Sequence, residues 1–441
     1  MGLREGLSFF QEFKRSIESV GSVWPTSSLG IEAIISEFAR HNGPRRVLEV
    51  GAGTGVVTSE IVRHMRAGDE LVLCEMNPAF VSYLRQRMER DPLFRQKQSQ
   101  IRLLETDVRY IDRTDHFDFI ISTIPFVNLH PVMVSEILSC YREILKPSGV
   151  LTFIEYAHMR YIKQNALSLC GHTSHIAHHA VMDVINHQLF RCDRVVSNIP
   201  PVCVKHLRFN SPNATQALAL APLEHNRRLA FGDTAGLATD ALPFLLTLLG
   251  IGVVFRRWRS IVAVVGLLFA GVLAFFRDPI RSIKLDANVA YAAADGRVLS
   301  IERMYDTRFG AEEWLRIAVF LDITDVHLNR SPIAGKVIRV LTQKGDFAIA
   351  SNPAADHNHA VYTLIEGQKS RCVVAQRVGM VARRIVNWSH PDELLAQGER
   401  YGLMRFGSRI DVYLPATLVE PSVEVGERVV GGETVLARYR F

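Results

Sequence analysis

The stretch VLEVGAGTGVVT (residues 47–58) decides the fold of the first half of the chain. An apolar run leads into three glycines, Gly51, Gly53 and Gly55, and a helical pattern follows. Glycines at such a point let the backbone approach a ligand closely at the N-terminus of a helix. From about residue 45 to 160, short apolar runs alternate with helical stretches, which predicts a Rossmann-like α/β domain with a doubly wound parallel sheet.

Acidic residues placed after the predicted strands indicate which ligand the loop binds. Glu75 ends the second strand, where a carboxylate can accept both hydroxyls of a ribose, and Asp107 follows the third, where it can meet an adenine amine. Glu49, in the first strand, is assigned to the same cofactor site. The glycine pattern differs from the GxGxxG of dinucleotide enzymes and resembles class I methyltransferases that use S-adenosylmethionine. The alternative is that the glycines only make a tight turn.

The segments that flank this loop bear on the methyl acceptor. The sequence ISTIPFVN (121–128) stands where related nucleic-acid amino-methyltransferases carry Asn/Asp-Pro-Pro-aromatic, so nucleic acid is disfavoured. Together with VWPTSS (23–28) and IEY (154–156), these segments resemble bacterial phospholipid N-methyltransferases over about residues 1–208. That resemblance implies methylation of phosphatidylethanolamine, up to three times, towards phosphatidylcholine. Candidates for lining the amine pocket, each equally readable as structural, are Ser27, Thr123 and Tyr156.

Two apolar runs follow a polar linker placed at residues 209–240. The runs cover residues 242–255 and 261–276 and are separated by a basic tip that contains three arginines. Each is shorter than the roughly 20 residues that cross a bilayer comfortably. We therefore expect a shallow, membrane-associating helical hairpin over residues 241–280, with a buried soluble hairpin as the alternative.

Composition and charge agree with a globular protein that meets an anionic surface. The chain is 48% hydrophobic and 22% charged, with a net charge of +6. This charge suits an anionic bilayer or a nucleic acid equally. The six cysteines lack CxxC spacing, which favours reduced thiols, and the start of the chain lacks a signal-peptide pattern. We expect a protein on the cytoplasmic face of the cell membrane, with an amphipathic helix over residues 3–20 that packs on its own domain or lies on the bilayer.

Histidines cluster between residues 160 and 208 but do not form a metal motif. No cysteine or carboxylate joins them at a ligand spacing, so a solvated helical face is the simpler interpretation, and no metal site is predicted. The clustered histidines, all between residues 172 and 187, are His172, His175, His178, His179 and His187.

The chain beyond residue 284 becomes rich in β-strand patterns. Half-motifs such as PIAGKVIRVLTQKGDF and PSVEVGERVVGGETVLA predict a mainly β domain that resembles a barrel-sandwich fold. Such folds also build biotinyl and lipoyl carriers, which need a lysine at a hairpin tip. Lys336 and Lys344 lie inside or just after the first half-motif, which disfavours a carrier.

The dipeptide Gly407-Ser408 is uninformative alone, and three other segments of the sequence indicate its function. These are FFRDPIR (275–281), AADGRVLSIE (293–302) and DVHLNRSPIAGKV (325–337), and in this order they resemble short-form phosphatidylserine decarboxylase over about residues 240–441. The resemblance implies cleavage of the chain between 407 and 408 and conversion of Ser408 into a pyruvoyl group. Its carbonyl can condense with the serine amine of the lipid and accept the electron pair released with carbon dioxide.

The same resemblance assigns further residues of the decarboxylase site. Asp295 belongs to the self-cleavage apparatus, and His327 assists decarboxylation or reprotonation. Where long-form relatives have a second histidine, this chain has Arg330, so the base that activates Ser408 is open. His359, or His357, is a candidate for that base, and Arg330 is a candidate for holding the lipid phosphate.

The sequence therefore predicts a bifunctional phospholipid enzyme in which the decarboxylase produces phosphatidylethanolamine and the methyltransferase consumes it. The implied cofactors are the pyruvoyl group and S-adenosylmethionine. The implied partners are phosphatidylserine, phosphatidylethanolamine and an anionic bilayer, without nucleic acid, while the two self-cleavage fragments stay associated. The alternative is a methyltransferase for nucleic acid or a small amine that carries a non-catalytic β-rich module.

Overall fold

The computed structural model describes residues 27–126, 129–156, 185, 187–195, 198, 201–223, 241–310, 312–380, 384–405 and 408–440. The chain divides into two compact units, with the division between Asn210 and Ser211. The N-terminal helix expected over residues 3–20 and four of the five clustered histidines lie outside the described residues, and His187 is exposed.

The first unit is a mixed sheet of seven described strands with helices packed on it. The strand order is β3-β2-β1-β4-β5-β7-β6. The strands are β1 (Arg46–Val50), β2 (Glu70–Glu75), β3 (Ile101–Glu105), β4 (Phe117–Ser122), β5 (Leu145–Tyr156), β6 (Leu189–Val195) and β7 (Val202–Leu207). The helices are α1 (Ser28–Ala39), α2 (Val56–His64), α3 (Pro78–Arg90), α4 (Pro92–Gln96) and α5 (Pro131–Ile144).

Successive residues of the central strands enter two different cores. Val47 of β1 and Leu71 of β2 belong to one cluster of buried residues, whereas Leu48 and Val72 belong to another. Side chains alternate between the faces of a strand, so both faces of this sheet are covered, as in doubly wound folds. The Rossmann-like class predicted from the sequence is confirmed.

The sheet departs from the predicted all-parallel arrangement at one edge. β7 runs antiparallel to β5, and β6 runs antiparallel to β7. The residues of these strands point polar groups inward, because Arg191 reaches Glu37 of α1 and His206 lies 3.1 Å from Asp193. Buried ion pairs hide the apolar alternation by which a strand is recognised, which is why this edge was missed.

The part of the predicted linker that is described is ordered. Residues 214–219 form a 3₁₀-helix with a capping box at Asn213, and Ala217 and Leu220 of this segment pack against Leu394 and Ala396 of the second unit. The linker prediction is therefore wrong for residues 211–223, because small apolar side chains in a polar stretch are enough to seat the segment.

The second unit begins with a helical hairpin and continues as antiparallel sheets. The helices are α6 (Leu242–Val254) and α7 (Arg259–Phe275), which agree closely with the two predicted apolar runs. No helix among the described residues has both the length and the apolarity required to cross a membrane. The base of the hairpin packs on the β-sheets through Leu245, Phe275 and Phe276.

Eight strands form the main sheet of the second unit, in the order β16-β12-β13-β14-β18-β10-β9-β20. Two three-stranded sheets, β11-β17-β15 and β19-β21-β8, accompany it among the described residues. The strands are β8 (Val289–Tyr291), β9 (Gly296–Tyr305), β10 (Glu313–Leu321), β11 (Leu328–Arg330), β12 (Gly335–Gln343), β13 (Ala360–Gly367), β14 (Arg371–Val378), β15 (Ile385–Asn387), β16 (Leu394–Leu395), β17 (Arg400–Met404), β18 (Ser408–Pro415), β19 (Val419–Pro421), β20 (Arg428–Val429) and β21 (Val435–Tyr439). The mainly β class predicted for this part is confirmed.

Candidate active sites

The glycine-rich loop adopts a backbone that only glycine tolerates easily. Gly51, Gly53 and Gly55 have φ values of 79°, 55° and 73°, and Gly55 is the N-cap of α2. A Cβ on Gly55 would also lie 2.9 Å from Leu84 Cδ2. The loop therefore wraps closely around the N-terminus of α2, where free backbone amides favour an anionic or polar ligand.

Glu75 is held in place at the carboxyl end of β2, beside the loop. One carboxylate oxygen accepts a hydrogen bond from the Gly53 amide and the other from the Asn77 amide, both at 2.9 Å. Each oxygen retains a second lone pair, so the carboxylate can still accept hydroxyl groups of a ribose. The structure thus brings Glu75 and the glycine-rich loop together.

Glu49 is buried beneath this loop and has no charged partner of its own. Neither carboxylate oxygen of Glu49 has a hydrogen-bond partner among the described residues, and the nearby Thr58 hydroxyl does not reach hydrogen-bond geometry. Burial raises the pKa of Glu49 to about 8, so the group is largely protonated at neutral pH. An unpaired buried acid at the head of a ligand loop fits a site completed by a cationic, hydrogen-bonding cofactor such as S-adenosylmethionine.

Asp107 lies at the carboxyl end of the sheet but is engaged by a neighbour. Its carboxylate accepts from the Arg109 amide at 2.9 Å and from the Arg109 guanidinium at 2.8 Å. These hydrogen bonds lower the pKa of Asp107. An adenine amine would share this carboxylate with Arg109, a constraint that the sequence did not reveal.

The two candidates for the amine pocket whose side chains the structure describes, Ser27 and Thr123, make structural hydrogen bonds. Ser27 caps α1 by accepting from the Gly30 amide at 3.2 Å. The Thr123 hydroxyl donates to the Gly51 carbonyl at 2.6 Å and so fixes the loop. The side chain of Tyr156 lies outside the described residues.

Ser408 is the first residue of β18 and is completely buried. In register it lies between Leu321 of β10 and Val378 of β14. Its hydroxyl has no hydrogen-bond partner among the described residues. Gly407 lies outside the described residues, so the bond expected to break is defined only on its serine side. A buried hydroxyl without a partner is costly, and it is found where a reaction or a ligand later uses the group.

His327 carries an unpaired basic nitrogen at the same end of the fold. Its backbone carbonyl accepts from the amide of Met404, four residues before Ser408. Its Nδ1 lies 3.0 Å from the Asp325 carbonyl oxygen, which can only accept, so Nδ1 carries the proton and Nε2 the lone pair. Nε2 is buried without a partner within the described part of the chain.

The environment of His327 keeps the imidazole neutral. The ring packs against Phe275, with 4.2 Å between the ring centroids. Burial lowers the pKa of His327 to about 4, although the Asp325 carbonyl and carboxylate oppose this shift. The side chain is thus a neutral imidazole at physiological pH, which is the form that accepts a proton.

Asp295 and His359 lie on opposite sides of Ser408, each two strands away. Asp295 directly precedes Gly296, where β9 begins beside β10. The His359 carbonyl accepts from Val378, the β14 partner of Ser408. With strands spaced about 4.8 Å apart, both residues lie roughly 10 Å from Ser408 across the sheet.

The side chain of Asp295 is tied to other groups. One oxygen accepts from Arg281 at 2.6 Å and the other from the Gly431 amide at 2.8 Å. His359 is half-buried and His357 is exposed. The geometry therefore does not place any of these three side chains directly on Ser408.

Arg330 is a buried structural cation and does not face solvent. Its guanidinium donates to the Gly398 carbonyl at 3.1 Å and lies 3.5 Å from Asp278. Burial, together with Arg400, lowers the pKa of Arg330 to about 10. This position does not suit a residue that collects the phosphate of an incoming lipid.

The residues of the segment FFRDPIR (275–281) make contacts that its sequence alone does not reveal. Phe275 covers His327, and Asp278 pairs with Arg400 at 2.9 Å as well as with Arg330. Arg281 holds Asp295. The segment thus connects the end of the apolar hairpin to His327, Arg330 and Asp295. In the sequence, only its mixture of charged and aromatic residues indicated such a role.

The lysines considered for a carrier module do not lie at a tight turn. Lys336 is in β12, 3.3 Å from the Ser211 hydroxyl, and Lys344 is exposed at the start of the long connection to β13. Neither position offers the hairpin tip that a carrier lysine needs.

Comparison with known proteins places both halves of the chain. A family model for phosphatidylserine decarboxylase matches residues 268–437, and a model for a methyltransferase domain matches residues 47–149. A phosphatidylserine decarboxylase proenzyme from Gluconacetobacter diazotrophicus is 42% identical over 210 residues, which cover 45% of this chain and 92% of the relative.

Several of the solved structures that are similar to the chain are titled as methyltransferases. A precorrin-6y C5,15-methyltransferase from Geobacter metallireducens is 14% identical, covers 42% of this chain and 90% of its own, and has a TM-score of 0.30. A SAM-dependent methyltransferase from Aquifex aeolicus is 14% identical, covers 40% and 88%, and has a TM-score of 0.29. The chain spans less than half of a protein from Galdieria sulphuraria, titled as a sarcosine dimethylglycine methyltransferase, at 21% identity, 28% and 44% coverage and a TM-score of 0.24.

The fold and the two sites define a protein in which a methyltransferase domain precedes a decarboxylase unit. The chain belongs to the phosphatidylserine decarboxylase family. The predictions of a pyruvoyl group and of S-adenosylmethionine as the two cofactors are confirmed at the level of these families.

Proposed function

We propose that this protein decarboxylates phosphatidylserine through a pyruvoyl group made from Ser408, and that its first unit methylates the amine of the resulting phosphatidylethanolamine. The observation that carries the decarboxylase half is a pair of buried atoms without a partner among the described residues: Ser408 Oγ at the start of β18, and His327 Nε2 just before β11. Family membership supports the same chemistry.

The self-cleavage begins at Ser408, and we assign His327 as the base that accepts its proton. The hydroxyl oxygen attacks the Gly407 carbonyl, the carbon–nitrogen bond breaks, and the serine nitrogen takes the proton back. The resulting ester loses Gly407 as a carboxylate by β-elimination, and water replaces the nitrogen as ammonia. A neutral imidazole with a free Nε2 suits this role better than exposed His357, because its lone pair needs no prior desolvation.

Within the finished site, the chain positions and shields the reaction. The pyruvoyl group supplies an electron sink for the electron pair freed with carbon dioxide. Burial of strand β18 excludes water, and Asp295, fixed by Arg281, helps define the start of β9, two strands from β18. In this proposal, His327 returns a proton after carbon dioxide leaves. Residues 408–441 stay bound to the rest of the chain because β18 pairs on both sides.

The hairpin of α6 and α7 is proposed to seat the protein on the bilayer that holds its substrate. Apolar side chains along both helices are exposed, including Leu246 at 65%, Val254 at 74% and Leu267 at 75%. The 17 residues of α7 extend about 26 Å, short of the roughly 30 Å apolar core. Because three arginines occupy the tip, we propose that the hairpin lies shallowly, on the cytoplasmic face, with these guanidinium groups among the lipid phosphates.

The methyltransferase half of the proposal concerns the acceptor. The loop, Glu75 and Glu49 fit S-adenosylmethionine, and the sequence segments listed above resemble phospholipid N-methyltransferases. Methyl transfer supplies a sulfonium methyl group to a neutral amine, so the chain must align and desolvate that amine. The decarboxylase would release such an amine on the same bilayer, which makes phosphatidylethanolamine the acceptor that we propose.

Lipid analysis of one reaction separates the two activities. Purified protein is incubated with phosphatidylserine vesicles, first without and then with S-adenosylmethionine. We expect phosphatidylethanolamine in the first case and N-methylated lipid in the second. Ser408→Ala should make neither product from phosphatidylserine but still methylate added phosphatidylethanolamine, while Glu75→Ala should stop at phosphatidylethanolamine. Absence of phosphatidylethanolamine with the wild type would reject the decarboxylase half, and transfer to RNA without lipid would reject the acceptor.

A further inference from the structure

Three carboxamide side chains, of which Gln376 and Asn329 are fully buried and Asn387 is half-buried, are joined by hydrogen bonds in the second unit. Asn387 Nδ2 donates to Gln376 Oε1 at 3.0 Å, and Gln376 Nε2 donates to Asn329 Oδ1 at 2.7 Å. The Ser389 hydroxyl donates to Asn387 Oδ1 at the far end. Each carboxamide therefore donates to the next in one direction, and the series of hydrogen bonds ends at the amide nitrogen of Asn329. We call the set Asn387, Gln376 and Asn329 the amide relay.

The last donor of the relay has nothing to donate to. Asn329 is fully buried, and its Nδ2 has no hydrogen-bond partner among the described residues. Because Oδ1 is occupied by the Gln376 donor, the amide cannot be flipped without placing two NH₂ groups against each other. A buried amide without an acceptor destabilises the fold, so its retention calls for a ligand or a reacting group.

The amide relay connects the three-stranded sheet β11-β17-β15 to the main sheet. Asn329 and Asn387 flank Gly402 in the three-stranded sheet. Gln376 rises from the main sheet into the space that Gly402 leaves, and a Cβ on Gly402 would lie 2.9 Å from Gln376 Nε2. A side chain at position 402 would therefore push the relay apart.

Register places the relay beside Ser408. Gln376 pairs with Ile410, which is two residues from Ser408 on β18 and therefore on the same face of the strand, about 7 Å along it. Asn329 is two residues after His327, whose carbonyl binds Met404 at the end of the strand that leads to Ser408. The Asn329 amide and the His327 imidazole, both without a partner among the described residues, thus come from one short segment that is bonded to β17, the strand that leads to Ser408.

We propose that Asn329 Nδ2 donates a hydrogen bond to the carbonyl oxygen of the pyruvoyl group formed at Ser408 and so activates that carbonyl towards the amine of the lipid. The inference rests on the proposed function. In the step concerned, the amine lone pair forms the new carbon–nitrogen bond while the carbonyl π pair moves onto oxygen. Protons from the nitrogen pass to that oxygen, which leaves as water. The relay stabilises the charge on oxygen, since each amide polarises the next.

The test measures the carbonyl directly, apart from lipid turnover. Purified, cleaved protein is mixed with phenylhydrazine, and the adduct on the fragment that starts at residue 408 is followed by mass spectrometry. The variants are Asn329→Ala, which removes the donor, and Asn329→Ser, which restores a smaller hydroxyl donor. Asn387→Ala is the comparison variant, because it removes the half-buried carboxamide at the far end of the amide relay and leaves the Asn329 amide in place.

We expect Asn329→Ala to cleave fully but to form the adduct about tenfold more slowly, in line with about 1.4 kcal/mol for one hydrogen bond. Asn329→Ser should recover part of this loss, and Asn387→Ala should lose much less. Truncation also opens the site, so a purely steric effect would instead raise the rate. The inference is overturned if Asn329→Ala forms the adduct at the wild-type rate, or if Asn329→Ser loses as much rate as Asn329→Ala. Failure of both variants to cleave also overturns it. An uncleaved wild type would instead reject the proposed function.

Discussion

The pH dependence of self-cleavage tests whether His327 is the base that starts the reaction. Burial lowers the pKa of His327 to about 4, against an ordinary value of 6.5. The neutral fraction at pH 5.5 is then about 97%, whereas an ordinary histidine would be about 9% neutral. We therefore expect the cleavage rate to stay nearly constant between pH 7.5 and 5.5, where an exposed histidine base would give a roughly tenfold fall.

Newly translated chain is needed for the measurement, because purified protein is expected to be already cut. Radiolabelled protein from cell-free translation is moved quickly to buffers between pH 5.5 and 7.5, and the uncut and cut chains are separated by gel electrophoresis. Phe275→Ala removes the ring that lies 4.2 Å from the imidazole, so water enters and the pKa of His327 rises. This variant should lose rate at pH 5.5, and Leu273→Ala, on an exposed side of the same helix, should not.

A fall in the wild-type rate centred near pH 6.5 would refute the reasoning, since it would assign the base to a histidine other than His327. A pH profile that is flat in the wild type and stays flat in Phe275→Ala would also count against His327.

The lowered pKa of His327 also affects the stability of the fold. The folded state holds His327 neutral while the unfolded chain binds a proton below pH 6.5, so the contribution is present above pH 6.5 and is lost as pH falls towards 4, on the order of 3 kcal/mol in all.

Three further perturbations follow from individual contacts. Asp278→Asn leaves two buried guanidinium groups without their shared carboxylate and should lower the free energy of unfolding by about 3–5 kcal/mol in thermal or urea denaturation; an unchanged midpoint would contradict the pairing. Because the pKa of Glu49 is raised to about 8, the ligand-free first unit should lose stability as pH rises from about 4.5 to 8, and Glu49→Gln should abolish that dependence; equal slopes for both proteins would argue against a protonated Glu49. The double variant Leu246→Asp, Leu267→Asp should sediment poorly with phosphatidylserine vesicles, whereas Val425→Asp, also at an exposed apolar position, should sediment normally; equal sedimentation would remove the hairpin from membrane binding.

The elements with a clear period were predictable from the sequence. Glycines after an apolar run identified the loop at residues 51–55, and two apolar runs identified α6 and α7 within a few residues of their observed bounds. These features depend on local patterning, which a single sequence displays directly. The buried charges of β6 and β7 broke that patterning, so the antiparallel edge of the sheet was not predicted.

The sequence allowed the reactive residues to be identified, but it did not reveal how they are arranged in space. Ser408 and His327 were both named, yet only the fold shows that each is buried with an unpaired atom. Asn329 was passed over, because an asparagine in a polar motif has no periodic or spacing signature. Its significance depends on Gln376 and Gly402, which are distant in sequence and meet only when the two sheets are layered.

Intact-mass analysis of the purified protein tests the central claim most directly. We predict two fragments, residues 1–407 and 408–441, whose summed mass equals that of the uncut chain plus water minus ammonia, with the shorter fragment blocked at its N-terminus. Ser408→Ala should give one uncut mass. A wild-type chain that remains intact, or one cut at this bond that retains a free serine N-terminus, would contradict the account.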